Sequence, residues 1–132
     1  MTYDILGISF PHKGGVGMGE KKKDKRDFCN LLFNVNEIFV RPCFIGDYIK
    51  FSRELDEYLC CKYPEFYAGL QLYQSKEDKC RFTVVAAYYE SPHICKEAKK
   101  IGEDIAEIYK DIWRNNIKRV SILSFREEIR LS

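Results

Sequence analysis

The sequence predicts an α+β fold: a ferredoxin-like βαββαβ sandwich, with two helices on one face of an antiparallel sheet and an insertion after the first strand. Three observations predict it. The second half holds a strongly amphipathic helical repeat, two alternating strand-like runs joined by a short polar turn precede it, and a second helical pattern precedes those runs. With strand-like segments at either end, the order matches that topology over the whole chain. At 132 residues and 15.6 kDa the chain has room for one domain, 1–132.

The first strand is expected over residues 3–10, with Leu6, Ile8 and Phe10 on one face and Pro11 ending it. Residues 11–46 form the insertion. It opens with a basic, glycine-rich loop at 12–26, where Gly14, Gly15, Gly17 and Gly19 lie close to a lysine run. The segment 27–45 then turns apolar. Phe28, Leu31, Leu32 and Val35 stand at helical spacing, and Ile38, Phe39 and Val40 suggest a short strand stopped by Pro42.

Gly46 and Asp47 open the first helix, which should bury Tyr48, Phe51, Leu55, Tyr58 and Leu59 and close at Pro64. Residues 66–73 and 80–89 alternate as strands, and the intervening polar residues 74–79 make them an antiparallel hairpin. Ser91 and Pro92 are suited to start the second helix. Its apolar stripe is Ile94, Ala98, Ile101, Ile105, Ile108 and Ile112, and Asn115 and Asn116 end it. Residues 120–125 read as the last strand.

An apolar fraction of 45% and 19 aromatic residues (nine Tyr, nine Phe, one Trp) exclude a disordered chain, and a net charge of +2 gives no overall field for nucleic acid or membrane. The start of the sequence lacks a secretory pattern and no apolar run is long enough to span a membrane, so a cytoplasmic setting is expected. There the six cysteines, Cys29, Cys43, Cys60, Cys61, Cys80 and Cys95, are expected as small core residues rather than disulfides or zinc ligands, since no C-x2-C pair occurs.

Residues 13–17, Lys-Gly-Gly-Val-Gly, follow the expected first strand and resemble the deviant phosphate loop of the chromosome-partitioning ATPases. That resemblance implies a nucleotide-binding loop. Yet the family's next lysine and hydroxyl residue are here Met18 and Gly19, which removes the phosphate and magnesium contacts and leaves a glycine loop. No cofactor is expected.

The loop charge is concentrated: Lys13, Lys21, Lys22, Lys23, Lys25 and Arg26 against Glu20 and Asp24 give +4, leaving −2 elsewhere. With Arg114, Lys118 and Arg119 near Trp113, these residues form a candidate nucleic-acid surface. The sheet face turned away from the helices should present Tyr3, Tyr67, Gln71, Tyr73, Arg81, Thr83 and Tyr89, a candidate surface for a protein partner or self-association.

His93 and Cys95 sit together at a helix start but, two residues apart, do not face each other as a catalytic dyad. The resulting expectation is a non-catalytic binding or adaptor protein. The alternatives are nucleic-acid binding through the basic residues, or a phosphate-binding enzyme using Gly14–Gly19.

Overall fold

The computed structural model describes residues 30–131, together with two short strands, β1 (Asp4–Ile5) and β2 (Ile8–Ser9). The main body runs β3 (Leu31–Val40), a 3-10 turn (Pro42–Phe44), α1 (Ile45–Lys62), β4 (Tyr67–Gln74), β5 (Arg81–Tyr89), α2 (Ile94–Trp113) and β6 (Ile117–Glu127). Its sheet has the order β4-β5-β3-β6, with every neighbouring pair antiparallel. This is the ferredoxin-like sandwich, in which β3 and β4 flank β5 as the outer members of a split βαβ unit.

The first strand of that sandwich is β3, which corrects the assignment of residues 3–10. Asp4–Ile5 and Ile8–Ser9 pair only with each other, Asp4 opposite Ser9 and Ile5 opposite Ile8. In β3, Leu31, Leu32 and Val35 mimic a helical stripe, yet the segment is a ten-residue strand that includes the expected Ile38, Phe39 and Val40 and lies centrally between β5 and β6. A central strand exposes one face to the helices and one away from them, so both faces can be apolar and the alternation that betrays a strand is blurred.

The layers meet along β5, where Phe82, Val84, Ala86 and Tyr88 are buried while the residues between them are less so. Ile38 and Val40 extend this inner face on β3, and Tyr48, Phe51, Leu55 and Leu59 cover it from α1. From α2 come Ile94, Ala98, Ile101, Ile112 and Trp113. Trp113 has no exposed surface and meets Phe44, Tyr48 and Phe51 at ring-centroid distances of 6.0, 5.6 and 5.4 Å.

α2 begins two residues beyond the expected proline, with His93 at its N-cap and no side-chain cap. The amide of Ile94 bonds the Ser91 carbonyl instead, at 3.2 Å, so residues 91–93 form a turn leading into the helix. Tyr58 is half-buried; its hydroxyl donates to Asp104 at 3.1 Å, where Lys62 and the Tyr63 hydroxyl also converge and join the C-terminal end of α1 to the middle of α2.

Among the described cysteines, Cys60 packs against the core as expected and the other four do not. Cys43, Cys61 and Cys95 are exposed thiols and Cys60 and Cys80 are half-buried, because each falls off the buried stripe of its element or in a connection. Cys29 lies outside the described residues. No helix among the described residues is long and apolar enough to cross a membrane.

Candidate functional site: a cleft between the sheet and the second helix

Two small residues on α2, Gly102 and Ala106, face a gap over the inner side of the sheet. A Cβ placed on Gly102 would meet nothing within 4 Å. The gap is a cleft of about 750 Å³, the size of a small-molecule site. Its floor is apolar: Ile38 from β3, Val84 and Ala86 from β5, Leu70 from β4 and Leu55 from α1. Ile105 borders it, which leaves that stripe residue only half-buried.

Polar groups enter at defined places. Asn36 projects from the middle of β3 into the cleft, and Tyr109 enters from α2. Lys110, Arg114 and Arg119 supply three cations against Asp111. The Tyr109 and Tyr48 hydroxyls lie 2.7 Å apart and share a hydrogen bond. Burial holds the Tyr109 hydroxyl well above its ordinary pKa, and the neighbouring Tyr48 adds to the effect. Tyr109 is therefore a neutral O–H at working pH, able to donate.

Arg114 caps α2 at φ 50 and ψ −114, a positive-φ conformation outside the left-handed helical region and one that side chains other than glycine's rarely adopt. Such strain on a long cationic residue, held at the rim of a cleft, is a feature that functional sites accumulate.

The residues singled out in the sequence are distributed differently from expectation. Gln71, Tyr73, Arg81, Thr83 and Tyr89 do share the face away from the helices, where Tyr73 donates to the Gln71 side-chain oxygen at 3.1 Å and Arg81 lies 3.8 Å from Glu37. Tyr67 does not join them. The register with β5 shifts between Tyr67 and Gly69, so the extra residue, Ala68, turns Tyr67 inward. There its hydroxyl donates to Asp56 on α1 at 2.7 Å, and Asp56 also accepts from the Leu70 amide at 3.0 Å.

The cationic trio at the end of α2 is split. Arg114 and Arg119 line the cleft, whereas Lys118 is paired across the ladder with Phe39, on the opposite face. Tyr3, Lys13, Lys21, Lys22, Lys23, Lys25 and Arg26, with the Gly14–Gly19 loop, lie outside the described residues. Among the described residues no cluster of His, Cys, Asp or Glu could hold a metal.

No model of a known protein family matches the chain, and no curated protein does. A solved structure shares the fold. It is a putative antibiotic biosynthesis monooxygenase from Bordetella bronchiseptica, similar over 78% of this chain and 99% of that chain, with a TM-score of 0.51 and 16% identity. The likeness is one of fold, and it overturns the expectation of a non-catalytic adaptor working through the open sheet face. The matching chain bears the name of an enzyme, and here the inner cleft gathers apolar walls, hydroxyl, amide and cations in one concave place. Nucleic-acid and nucleotide binding gain no support from it.

Asn36 and Tyr109 were not singled out in the sequence. The signal for Asn36 was present: Asn34 and Asn36 interrupt the inward-facing apolar positions of a strand, where an amide needs a reason to be. Tyr109 had no such signal, since a tyrosine one position off an isoleucine stripe is ordinary.

Proposed function

We propose that the cleft is the active site of a small-molecule enzyme of the monooxygenase type, acting on an apolar substrate that carries a carbonyl or an acidic hydroxyl. The observation that carries this reading is the combination of an apolar floor with a cationic rim in a cavity of about 750 Å³. Ile38, Leu55, Leu70 and Val84 take the apolar body of the substrate. Asn36 and the neutral Tyr109 hydroxyl hydrogen-bond its oxygen, and Arg119 and Lys110 favour the anionic form, an enolate or phenolate, which is the form that reacts with an oxidant. The fold's resemblance to a named monooxygenase supports the oxygen-dependent reaction class. The cytoplasmic setting expected from the sequence is kept as part of this proposal.

The test is oxygen uptake and equilibrium binding with a panel of hydroxylated polycyclic aromatics and their non-hydroxylated counterparts. Wild type should bind the hydroxylated members preferentially and consume oxygen with at least one of them. Ala106→Trp, which fills the gap, should abolish both without lowering the melting temperature, and Arg119→Ala should weaken binding of the hydroxylated probes roughly tenfold. Binding that is indifferent to Ala106→Trp would place the ligand elsewhere and sink the proposal.

A further inference from the structure

The groups lining the cleft follow one axis, and the strand register gives their order. At one end Leu70 stands opposite Ala86, an apolar pair. The next inward position on β5 is Val84, opposite Asn36, and the one after it is Phe82, opposite Ile38. Ile38 faces Arg119 on its other side. Beyond them Val40 pairs with Ile117, the first residue of β6, where the connection from α2 arrives. The cleft is therefore apolar at its β4 end, carries an amide midway, and ends beside residues 114–116.

Cations collect towards that end. Lys110, Arg114 and Arg119 line the cleft, and Asp111 is the acid among the described lining residues, so the lining carries a surplus of two positive charges. Among the described residues none of the three cations forms an ion pair with a carboxylate. Asn115 adds an amide donor beside Arg114. The negative end of the helix dipole favours Lys110 and Arg114 where they stand. It explains neither Arg119, which comes from β6, nor an arginine at φ 50, where glycine would be at ease.

We infer that the substrate carries a second anionic group, a carboxylate, which Arg114 and Asn115 hold at the far end of the cleft from its apolar floor. This rests on the reading of the cleft as the active site and narrows its substrate to a flat apolar acid. The Asn36 and Val40 rungs stand about 13 Å apart at ~3.3 Å per residue, a span that a body of two or three rings bridges to a guanidinium reaching back. The planar fork of Arg114 offers a carboxylate two parallel N–H donors. Charge selects carboxylate over phosphate. One enolate or phenolate and one carboxylate neutralise the surplus of two, whereas a phosphate monoester, near −2 itself, would leave the filled cleft negative.

Titration calorimetry of the full chain tests it, with a naphthol bearing a carboxylate on its far ring, the matching neutral carboxamide and the matching phosphate ester. Wild type should bind the carboxylate at least about tenfold more tightly than the carboxamide, and the phosphate no more tightly than the carboxylate. Arg114→Gly should remove most of that preference without lowering the melting temperature, because relief of the positive φ offsets the added freedom of the unfolded chain. Arg114→Lys, which keeps the charge and loses the fork, should retain part of it. Carboxylate and carboxamide bound alike, and both lost in Ala106→Trp, would overturn the inference and leave the cleft reading standing. A preference that survives Arg114→Gly overturns it as well, as does a phosphate bound more tightly than the carboxylate. Probes whose binding ignores Ala106→Trp would sink the cleft reading and the inference with it.

Discussion

Tyr48 and Tyr109 share one hydrogen bond inside a cluster of rings, with Phe51 edge-on to Tyr109 at 5.2 Å. Burial pushes Tyr48 from 10.0 up to about 12, an effect its bond to Tyr109 only partly offsets. Tyr88 is likewise pushed up to about 12 by burial, against a hydrogen bond with Asn34. Tyr63 reaches about 12 through burial and its bond to Asp104. In each case the folded pKa is above the unfolded one, so the folded chain keeps protons that the unfolded chain releases. The associated stability is complete below pH 10 and is lost as pH rises through about 12. The melting temperature followed by circular dichroism should therefore be flat up to pH ~9.5 and fall steeply above pH ~10. A melting temperature unchanged at pH ~12 would contradict the burial of these hydroxyls. At this scale the sequence was partly legible: Tyr48 was expected in the core, whereas nothing in a linear reading could bring Tyr48 to Tyr109, 61 residues away.

Two glycines in regular elements have opposite roles. Gly102 lies in α2 with open space where a Cβ would go, so Gly102→Ala should stabilise the protein by about 0.5–1 kcal/mol through helix propensity and reduced freedom of the unfolded chain. Gly69 lies in β4 at φ 154, beside the register shift that turns Tyr67 inward, and Gly69→Ala should cost about 1–3 kcal/mol. Urea unfolding of the two variants measures both, and equal effects would show that backbone conformation does not separate them. The elements themselves were legible where one face meets water. α2 and the β4–β5 hairpin were read correctly in kind, with ends displaced by a residue or two, because their polar and apolar positions separate cleanly. β3 was not, since its open side carries Leu31, Phe33, Val35 and Phe39 while its inner side includes Asn34 and Asn36. The cleft was illegible for a related reason. It exists where α2 fails to touch the sheet, and small residues such as Gly102 and Ala106 announce such a gap only once the helix has been docked.

For the molecule as a whole, the single tryptophan is a useful reporter. Trp113 ends α2, is completely buried, and packs on rings from α1 and from the turn after β3. If the two helices and the sheet form one cooperative unit, tryptophan fluorescence and the far-ultraviolet circular dichroism signal should give the same unfolding midpoint. Two separated midpoints would mean that the helical layer comes away before the sheet melts. The ladder between β3 and β6 has a further consequence. Leu32 stands opposite Glu127, so the four-stranded body begins and ends on adjacent strands at one end of the sheet. About three linking residues would bridge that separation, given ~3.3 Å per extended residue. The polar turn between β4 and β5 at residues 75–80, largely exposed, could then carry new termini. The order of the chain is thus separable from the order of the sheet, and a circularly permuted version starting at β5 would keep every strand pairing of the body except the turn that joined β4 to it.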